Sequence, residues 1–238
     1  MNIFEQKTMG QRIEGNPYVG RGIVIGKTAD GKKAAIAYFI MGRSESSRNR
    51  MFIEKGDEIV IEPIDASKVG DPSLIIYSPI RVCEKGTIVT NGNQTDTVYE
   101  FLQSDKSFSQ ALATREFEPD APNYTPRISG MLYFDGAFHY DLSILKSADA
   151  CGSACTREYF EYPALAGTGH FIHTYITDGN PIPSFCGEPE RVSIPDDPDA
   201  FLEDIWSHLD EANKVAIAVR YIDIESGAYT QKIINKYV

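Results

Sequence analysis

The stretch Val19–Ile40, VGRGIVIGKTADGKKAAIAYFI, decides the fold class. Two apolar, β-branched segments, Val19–Gly26 and Ala34–Ile40, flank the pair Asp30-Gly31. A glycine after an aspartate supplies the positive φ that a tight hairpin turn requires. The stretch therefore predicts two neighbouring antiparallel strands.

Segments of the same kind recur along the chain and predict further strands. Asp135-Gly136 and Ser226-Gly227 provide turns with the same chemistry. The other predicted strands are Glu58–Glu62, Leu74–Tyr77, Thr87–Thr90, Ile128–Phe134, His170–Ile176 and Val215–Asp223. Sheets joined by such turns are expected to be mainly antiparallel.

Three segments predict helices. In Asp199–Ala212, apolar residues recur every four positions behind a proline-marked start. The shorter segments Thr95–Leu102 and Ser107–Arg115 form an expected helical pair. This order of elements predicts one α+β domain over residues 1–238, with packed sheets and helices on their outer faces. The segment Gly179–Pro198 is rich in Pro and Gly and is expected to be a long surface loop.

Composition narrows the class of function. The chain is 42% hydrophobic and 24% charged, which is typical of globular proteins. Its formal net charge of -11 argues against binding of polymeric nucleic acid, although arginines that converge in one pocket can still bind a small anion. The first 16 residues are polar and no run has membrane-spanning length, so a cytoplasmic protein with reduced cysteines is expected, without membrane contact.

Four polar clusters at the ends of predicted elements are candidate sites. They are Asn16–Gly22, Gly42–Arg50, Thr90–Asp96 and Glu116–Arg127. Gly42–Arg50 places three arginines among hydroxyl and amide donors, which is the composition of an anion site. Each cluster also has a structural interpretation: a glycine-bearing strand start, a solvated basic loop, a helix cap and a rigid connector, respectively. Taken singly, the clusters leave both interpretations open.

A metal site and a terminal nucleophile are not expected. Cys151, Cys155, His170 and His173 have the right residue types for zinc, but their spacing does not match the common zinc modules. Free thiols and strand histidines explain them better. The chain opens with Met1-Asn2, so an early Ser, Thr or Cys nucleophile is not expected either.

Four strings, read in order, resemble the archaeal-type IMP cyclohydrolase family. They are Tyr18–Arg21, Arg43-Ser44 with Asn49-Arg50, Thr90–Gly92 with Thr95-Asp96, and Thr125–Ile128. The similarity is specific over Asn16–Gly130 and reduces to a pattern of strands and helices in the other half of the chain.

The resemblance implies a fold and a reaction. The fold is a four-layer αββα sandwich of antiparallel sheets, similar to the N-terminal-nucleophile hydrolases but without self-cleavage. The reaction is a ring closure in purine biosynthesis. The carboxamide nitrogen of 5-formamidoimidazole-4-carboxamide ribonucleotide attacks the formyl carbon, water is lost, and inosine monophosphate forms without metal or organic cofactor.

The resemblance also assigns roles to residues. Arg50 is expected to polarise the formyl oxygen, Tyr77 to donate a hydroxyl beside it, and Glu118 to handle the amide proton. Phosphate and ribose contacts are expected from Arg21, Arg43, Ser44 and Arg127, with Asn91, Gly92 and Asn123 completing the substrate site.

Two departures from the family pattern leave alternatives open. Asn123-Tyr124 precedes Thr125 where the family tends to have asparagine directly before the threonine, so Glu116 and Asp120 compete with Glu118 for the carboxylate role. The longer C-terminal half is expected to cover the pocket or to form a contact in a homo-oligomer. A catalytically silent purine-nucleotide-binding protein, or an amidohydrolase acting on another small amide, are the alternative functions.

Overall fold

The computed structural model describes residues 4–68 and 76–238, which form two antiparallel sheets and five short α-helices. The strands are β1 Arg21–Lys27, β2 Lys33–Met41, β3 Met51–Lys55, β4 Glu58–Glu62, β5 Ile80–Cys83, β6 Gly86–Thr90, β7 Arg127–Tyr133, β8 His139–Ser147, β9 Cys155–Pro163, β10 Thr168–His173, β11 Glu190–Ser193, β12 Lys214–Asp223 and β13 Tyr229–Asn235. The helices are α1 Met9–Ile13, α2 Glu45–Arg48, α3 Gln94–Gln103, α4 Phe108–Ala113 and α5 Pro198–His208.

Each sheet is built from antiparallel neighbours. The six-stranded sheet has the order β11-β10-β1-β2-β12-β13, and the seven-stranded sheet runs from β3 to β9 in chain order. The hairpin predicted from Asp30-Gly31 is confirmed: β1 pairs with β2, and Gly31 has φ of 75°. Asp30 fixes the turn because its carboxylate accepts the Thr28 hydroxyl at 2.6 Å.

Three apolar clusters define the layers. Alternate residues of β2, including Ile36 and Tyr38, face the other sheet and form the central core with residues such as Ile128. The opposite face of the six-stranded sheet packs against α1 and α5, and the outer face of the seven-stranded sheet packs against α3 and α4. Phe201 and Ile205 of α5 are almost completely buried, and each such side chain contributes about 2 kcal/mol by leaving water.

Several predicted boundaries were wrong. Helix α5 ends at His208 rather than near Ala212, because Leu209 has extended backbone and turns its side chain into the core. The expected loop Gly179–Pro198 contains the short strand β11, which completes one edge of a sheet. Leu74 and Ile75 lie outside the described residues, and Tyr77 lies in irregular backbone just before β5.

One end of the molecule collects the predicted polar clusters. Strand β1 begins there, β2 and β10 end there, and β7 of the facing sheet begins there. Strand ends of both sheets thus bring distant loops together over the central core.

Among the described residues, no helix combines the length and apolar character needed to cross a lipid bilayer.

Candidate active site

A cavity of about 400 Å³ opens at this end of the two sheets. Its lining comes from five separate parts of the chain: Tyr18 and Arg21, then Arg43, Ser44, Ser46, Ser47 and Arg50, then Glu118, Asp120, Asn123 and Thr125, then Tyr175, and finally Ile182. Three of the four polar clusters singled out in the sequence therefore meet in one place.

The Gly20-Arg21 pair owes its sequence to a close approach. Gly20 has φ of 77°, and a Cβ atom there would lie 2.1 Å from the Thr174 hydroxyl. That hydroxyl instead accepts the backbone N–H of Arg21 at 3.1 Å. Glycine at this position lets the β1 start and the β10 end lock together, and this contact fixes the direction of Arg21.

Three arginines and one carboxylate form a buried charge cluster. Arg21, Arg50 and Arg127 are 6–8% exposed and Glu118 is 4% exposed. Arg21 Nη2 lies 3.9 Å from Glu118 Oε2, a loose ion pair rather than a hydrogen bond. Burying charges in this way is costly unless they are paired, so the cluster is expected to serve something other than stability.

The electrostatics of the cluster follow from burial and from its members. Burial raises the pKa of Glu118 above its ordinary value, although Arg21 and Arg127 act against the rise. Burial lowers the pKa of Arg50, and the neighbouring charge of Arg21 lowers it further. For Arg21, burial is the largest single influence and acts to lower the pKa, but Glu118 and three neighbouring tyrosines together outweigh it, so the net pKa is raised. A carboxylate with a raised pKa is suited to take up and release a proton.

Two guanidinium groups of the charge cluster have buried donors without an acceptor among the described residues. Among the described residues, Arg21 Nε and Arg50 Nη1 have no hydrogen-bond partner. Arg50 is oriented by its Nε, which donates to the Ser47 carbonyl at 3.1 Å. Unpaired buried donors of this kind are expected to meet an acceptor-rich ligand, such as a phosphate or a carbonyl oxygen.

Two tyrosines form a hydroxyl pair at the cluster. Tyr77 Oη lies 2.8 Å from Tyr38 Oη. Tyr77 is 5% exposed and Tyr38 is fully buried. Neither belongs to the cavity lining, but Arg21 and Arg50 lie close enough to act on the pKa of both hydroxyls.

The acidic loop before β7 is held by a chain of short hydrogen bonds. Asp120 accepts both the backbone N–H and the hydroxyl of Thr125, at 2.6 and 2.5 Å. The same hydroxyl lies 2.6 Å from Tyr175 Oη, and the Thr125 carbonyl accepts the Glu118 N–H at 2.9 Å. This network fixes Glu118 on one side of the cavity.

The structure separates the three carboxylates that compete in the sequence. Glu118 lies among the arginines, whereas both oxygens of Asp120 are used by Thr125. Glu116 is exposed and lies 3.8 Å from Arg157 in an ion pair outside the cavity.

The loop after β2 forms the rim. The Ser44 side chain caps α2 by accepting the Ser47 N–H at 3.1 Å. Arg43 stacks over the Tyr18 ring at 5.2 Å and binds the Asp178 carboxylate, and it also donates to the Gly179 carbonyl at 2.9 Å.

Of the remaining predicted residues, one lines the cavity and two lie outside its lining. Asn91 and Gly92 are not part of the lining: Asn91 donates to the Pro126 carbonyl at 2.9 Å and accepts the Ile128 N–H at 2.9 Å. Gly92 makes room for Arg127, since a Cβ there would lie 2.3 Å from its Nη1. Asn123 lines the cavity, and its Oδ1 accepts the Ile182 N–H at 3.1 Å.

Tyr38 and Tyr175 are site residues that the sequence did not indicate. Both stand in or next to apolar strands, where a tyrosine is most simply explained as core. The available signal was weak: Tyr38 breaks an otherwise apolar run with a hydroxyl that must find a partner when buried.

The cysteine and histidine set does not come together. Cys151 is exposed beside Asp149, His170 Nδ1 lies 2.7 Å from Tyr140 Oη, and His173 Nδ1 donates to the Tyr175 carbonyl at 2.7 Å. Within residues 4–68 and 76–238, no three His, Cys, Asp or Glu side chains are grouped so that they could hold a metal ion.

Comparisons with known proteins identify relatives of this chain. The IMP cyclohydrolase of Methanocaldococcus jannaschii is 32% identical over 136 residues, covering 54% of this chain and 66% of that protein. The IMP cyclohydrolases of Methanococcus aeolicus and Methanopyrus kandleri are 30% and 34% identical over 125 and 116 residues, covering 51% and 47% of this chain and 61% and 57% of theirs. The chain thus spans less than two thirds of the length of these relatives. Residues 18–227 match the family described as IMP cyclohydrolase-like protein, and the chain belongs to that family.

Proposed function

We propose that this protein is an IMP cyclohydrolase, which closes the purine ring of inosine monophosphate from 5-formamidoimidazole-4-carboxamide ribonucleotide. One observation carries the proposal: buried guanidinium donors without an acceptor face a small cavity that also holds a carboxylate of raised pKa. The names of the related proteins from Methanocaldococcus jannaschii and Methanopyrus kandleri support it.

In this proposal, the rim of the cavity binds the phosphate of the substrate, and the inner arginines bind the rest of it. Arg43 and the hydroxyls of Ser44 and its neighbours are placed at the mouth, where they can take the phosphate. Arg21 is a buried part of the lining, and Arg127 is buried outside the lining but close enough to act on Glu118; in this proposal both bind ribose or the carboxamide oxygen. Asn91 and Gly92 contribute indirectly in this scheme, because they hold the β7 start and make room for Arg127.

The chemistry assigned to the floor balances in two steps. In the first, the carboxamide nitrogen bonds to the formyl carbon, Glu118 takes a proton from that nitrogen, and Tyr77 gives its proton to the formyl oxygen. In the second, the carbon–oxygen bond breaks and the oxygen leaves as water with the proton from Glu118. The former formamide N–H then returns a proton to Tyr77. Throughout, Arg50 stabilises the charge that develops on the oxygen.

These roles have the magnitudes that such a reaction needs. The ring closure is intramolecular, so fixing the two reacting groups at attack distance contributes several kcal/mol, on the order of 7 at most. A placed donor at the developing oxyanion contributes about 3–4 kcal/mol. The reaction has no redox change and no phosphoryl transfer, and the proposal therefore assigns no organic cofactor to it.

The proposal also covers the fold family and the cellular location of the protein. The two sheets between helical layers favour kinship with the N-terminal-nucleophile hydrolases, in a member that uses no terminal nucleophile. We propose that it is a cytoplasmic enzyme of purine biosynthesis.

A direct assay tests the function. Purified protein receives the formylated carboxamide ribonucleotide, and inosine monophosphate is followed by absorbance against a protein-free control. Glu118→Gln should abolish turnover and keep nucleotide binding. Its matched control is Glu116→Gln on the same loop, which should keep the wild-type rate.

The outcomes separate the candidates. Binding of inosine monophosphate without turnover would favour a silent nucleotide-binding protein. Hydrolysis of another small amide, with no ring closure, would favour an amidohydrolase. Equal loss in both glutamate variants would remove the proton-transfer role from Glu118.

A further inference from the structure

The Tyr38 hydroxyl is a buried polar group next to the charge cluster. Tyr38 lies in the middle of β2, flanked across the sheet by Ile23 and Ala218, and it is fully buried. Its ring stacks on Phe52 with centroids 5.6 Å apart, so packing alone explains the ring. Packing does not explain the hydroxyl, which is a polar group placed inside an apolar core.

A buried donor needs an acceptor, and this requirement indicates which of the two tyrosines donates the hydrogen bond. Among the described residues, Tyr38 Oη has one hydrogen-bond partner, Tyr77 Oη at 2.8 Å. If Tyr77 donated, the proton of the fully buried Tyr38 would have no acceptor. If Tyr38 donates, the Tyr77 proton is the free one, and Tyr77 is the partner that retains some exposure. The second arrangement pairs the fully buried Tyr38 proton and leaves the unpaired proton on Tyr77, the less buried of the two residues.

We propose that Tyr38 is a positioning residue: its hydroxyl donates to Tyr77 Oη, turns the Tyr77 proton toward the reacting oxygen, and stabilises the Tyr77 oxygen when that proton is transferred. This role rests on the proposed function. Tyr38 itself never loses its proton in this scheme and touches no substrate atom.

The surrounding charges agree with this direction of donation. Burial raises the pKa of Tyr77, while Arg21, Arg50 and the bond from Tyr38 all act to lower it. Burial raises the pKa of Tyr38 strongly, and its bond to Tyr77 adds to the rise. Of the two hydroxyls, Tyr77 is therefore the one prepared to release a proton, and Tyr38 the one prepared to keep it.

A double-mutant cycle tests the role. Tyr38→Phe keeps the ring and removes only the hydroxyl. We expect kcat to fall about tenfold with KM nearly unchanged, because the effect is confined to the transferred proton. The kcat of Tyr77→Phe should fall about a hundredfold. The kcat of the double variant should be no lower than that of Tyr77→Phe alone, since Tyr38 acts only through Tyr77.

The control is Tyr140→Phe. Tyr140 is buried in the same layer, and its hydroxyl lies 2.7 Å from His170 Nδ1, away from the cavity. The melting temperature of Tyr140→Phe should fall by a similar amount to that of Tyr38→Phe, and its kcat should stay at the wild-type value. Thermal melts give the folded fraction of each variant, so rates are compared per folded molecule.

The outcomes are distinct. An unchanged kcat in Tyr38→Phe, or losses that multiply in the double variant, would overturn the positioning role and leave the cyclohydrolase proposal intact. A wild-type protein without turnover would overturn the proposed function and this role with it.

Discussion

Arg50 presents a guanidinium fork to the cavity, and its Nε donates a hydrogen bond to the protein. That bond, to the Ser47 carbonyl, aims the terminal nitrogens, and Nη1 has no acceptor among the described residues. A lysine would place one compact ammonium on a flexible stem and lose this aim. Arg50→Lys should therefore lower kcat by about 100-fold, in the range measured for loss of one oxyanion donor. Steady-state kinetics of the ring closure measure the change.

Arg48→Lys is the matched control for Arg50→Lys. Arg48 lies two residues away, and its guanidinium contacts the Gly42 carbonyl and Asn213 Oδ1 outside the cavity. It should keep a rate within about twofold of wild type. A wild-type rate in Arg50→Lys would take Arg50 out of the reaction.

Glu118 should set the pH below which the proposed ring closure is lost. Burial raises the pKa of this carboxyl above its ordinary value of 4.5. A proton acceptor works only when ionised, so turnover is present above the raised pKa and is lost as the pH falls through it. We expect the acid limb of kcat/KM to lie above pH 4.5. A pH–rate profile that stays flat down to pH 4.5, with the protein folded, would contradict this assignment.

How far single residues could be predicted depended on side-chain chemistry. The composition of Gly42–Arg50 indicated an anion site, whereas the expectation that Arg21, Arg50 and Arg127 share one site came from the family resemblance. The sequence did not indicate a role for Tyr38 in the site. Its partner Tyr77 is 39 positions away and lies in irregular backbone just before β5. Pairings of this length are set by the fold.

Two loops from different strands meet at the cavity mouth. The loop after β2 carries Arg43, and the loop after β10 carries Asp178, whose carboxylate binds the Arg43 guanidinium. A substrate phosphate has to compete with that carboxylate for the same donors. Asp178→Asn should therefore strengthen binding of inosine monophosphate, by up to about fivefold because half-exposed ion pairs are worth less than about 1 kcal/mol. Isothermal titration at low salt measures the affinity.

Glu45→Gln controls for loss of one negative charge nearby. Glu45 pairs with Lys68 at 2.6 Å on the outer side of α2 and does not line the cavity. Its effect on affinity should be small. Weaker binding in Asp178→Asn would show that the contact builds the site rather than competing with the ligand.

At the level of elements, the prediction succeeded where turns and periodicity were strong. Asp30-Gly31 gave the β1–β2 hairpin, and Ser107 begins α4 through its cap at Gln110. Strand β9 was missed, since its sequence CTREYFEYP mixes charges with aromatics as half-exposed edge strands do. Edge strands owe their pairing to the neighbour, here β8, more than to their own pattern.

At the scale of the whole molecule, the buried charges at the cavity differ from the buried histidines of β10 in how they are partnered. At the cavity, the buried charges lack complete protein partners, as expected of a site built to meet a ligand. By contrast, burial favours the neutral form of two histidines of β10. His170 and His173 of β10 are 5–6% exposed, and each is fixed by an uncharged partner, Tyr140 Oη and the Tyr175 carbonyl, respectively.

These two histidines should make the fold sensitive to acid. Burial lowers the pKa of both from 6.5 to about 4. Between those values the unfolded chain binds more protons than the folded one, so stability is complete above pH 6.5 and is lost as the pH falls toward 4. From pH 7.5 to pH 5 the free energy of unfolding should drop by about 2 kcal/mol for each histidine. Urea unfolding at the two pH values measures the difference.

His173→Phe isolates one of the two contributions. The ring of His173 stacks on Phe171 and contacts Phe185 at a tilt, with centroids 4.5 and 4.4 Å away, so phenylalanine keeps the packing and removes the titration. The drop in unfolding free energy between pH 7.5 and 5 should shrink by about half in this variant. His139→Gln, on the exposed start of β8, should keep the wild-type drop. If His173→Phe keeps the full drop as well, acid acts elsewhere in the molecule, and the neutral interior around β10 does not set its pH limit.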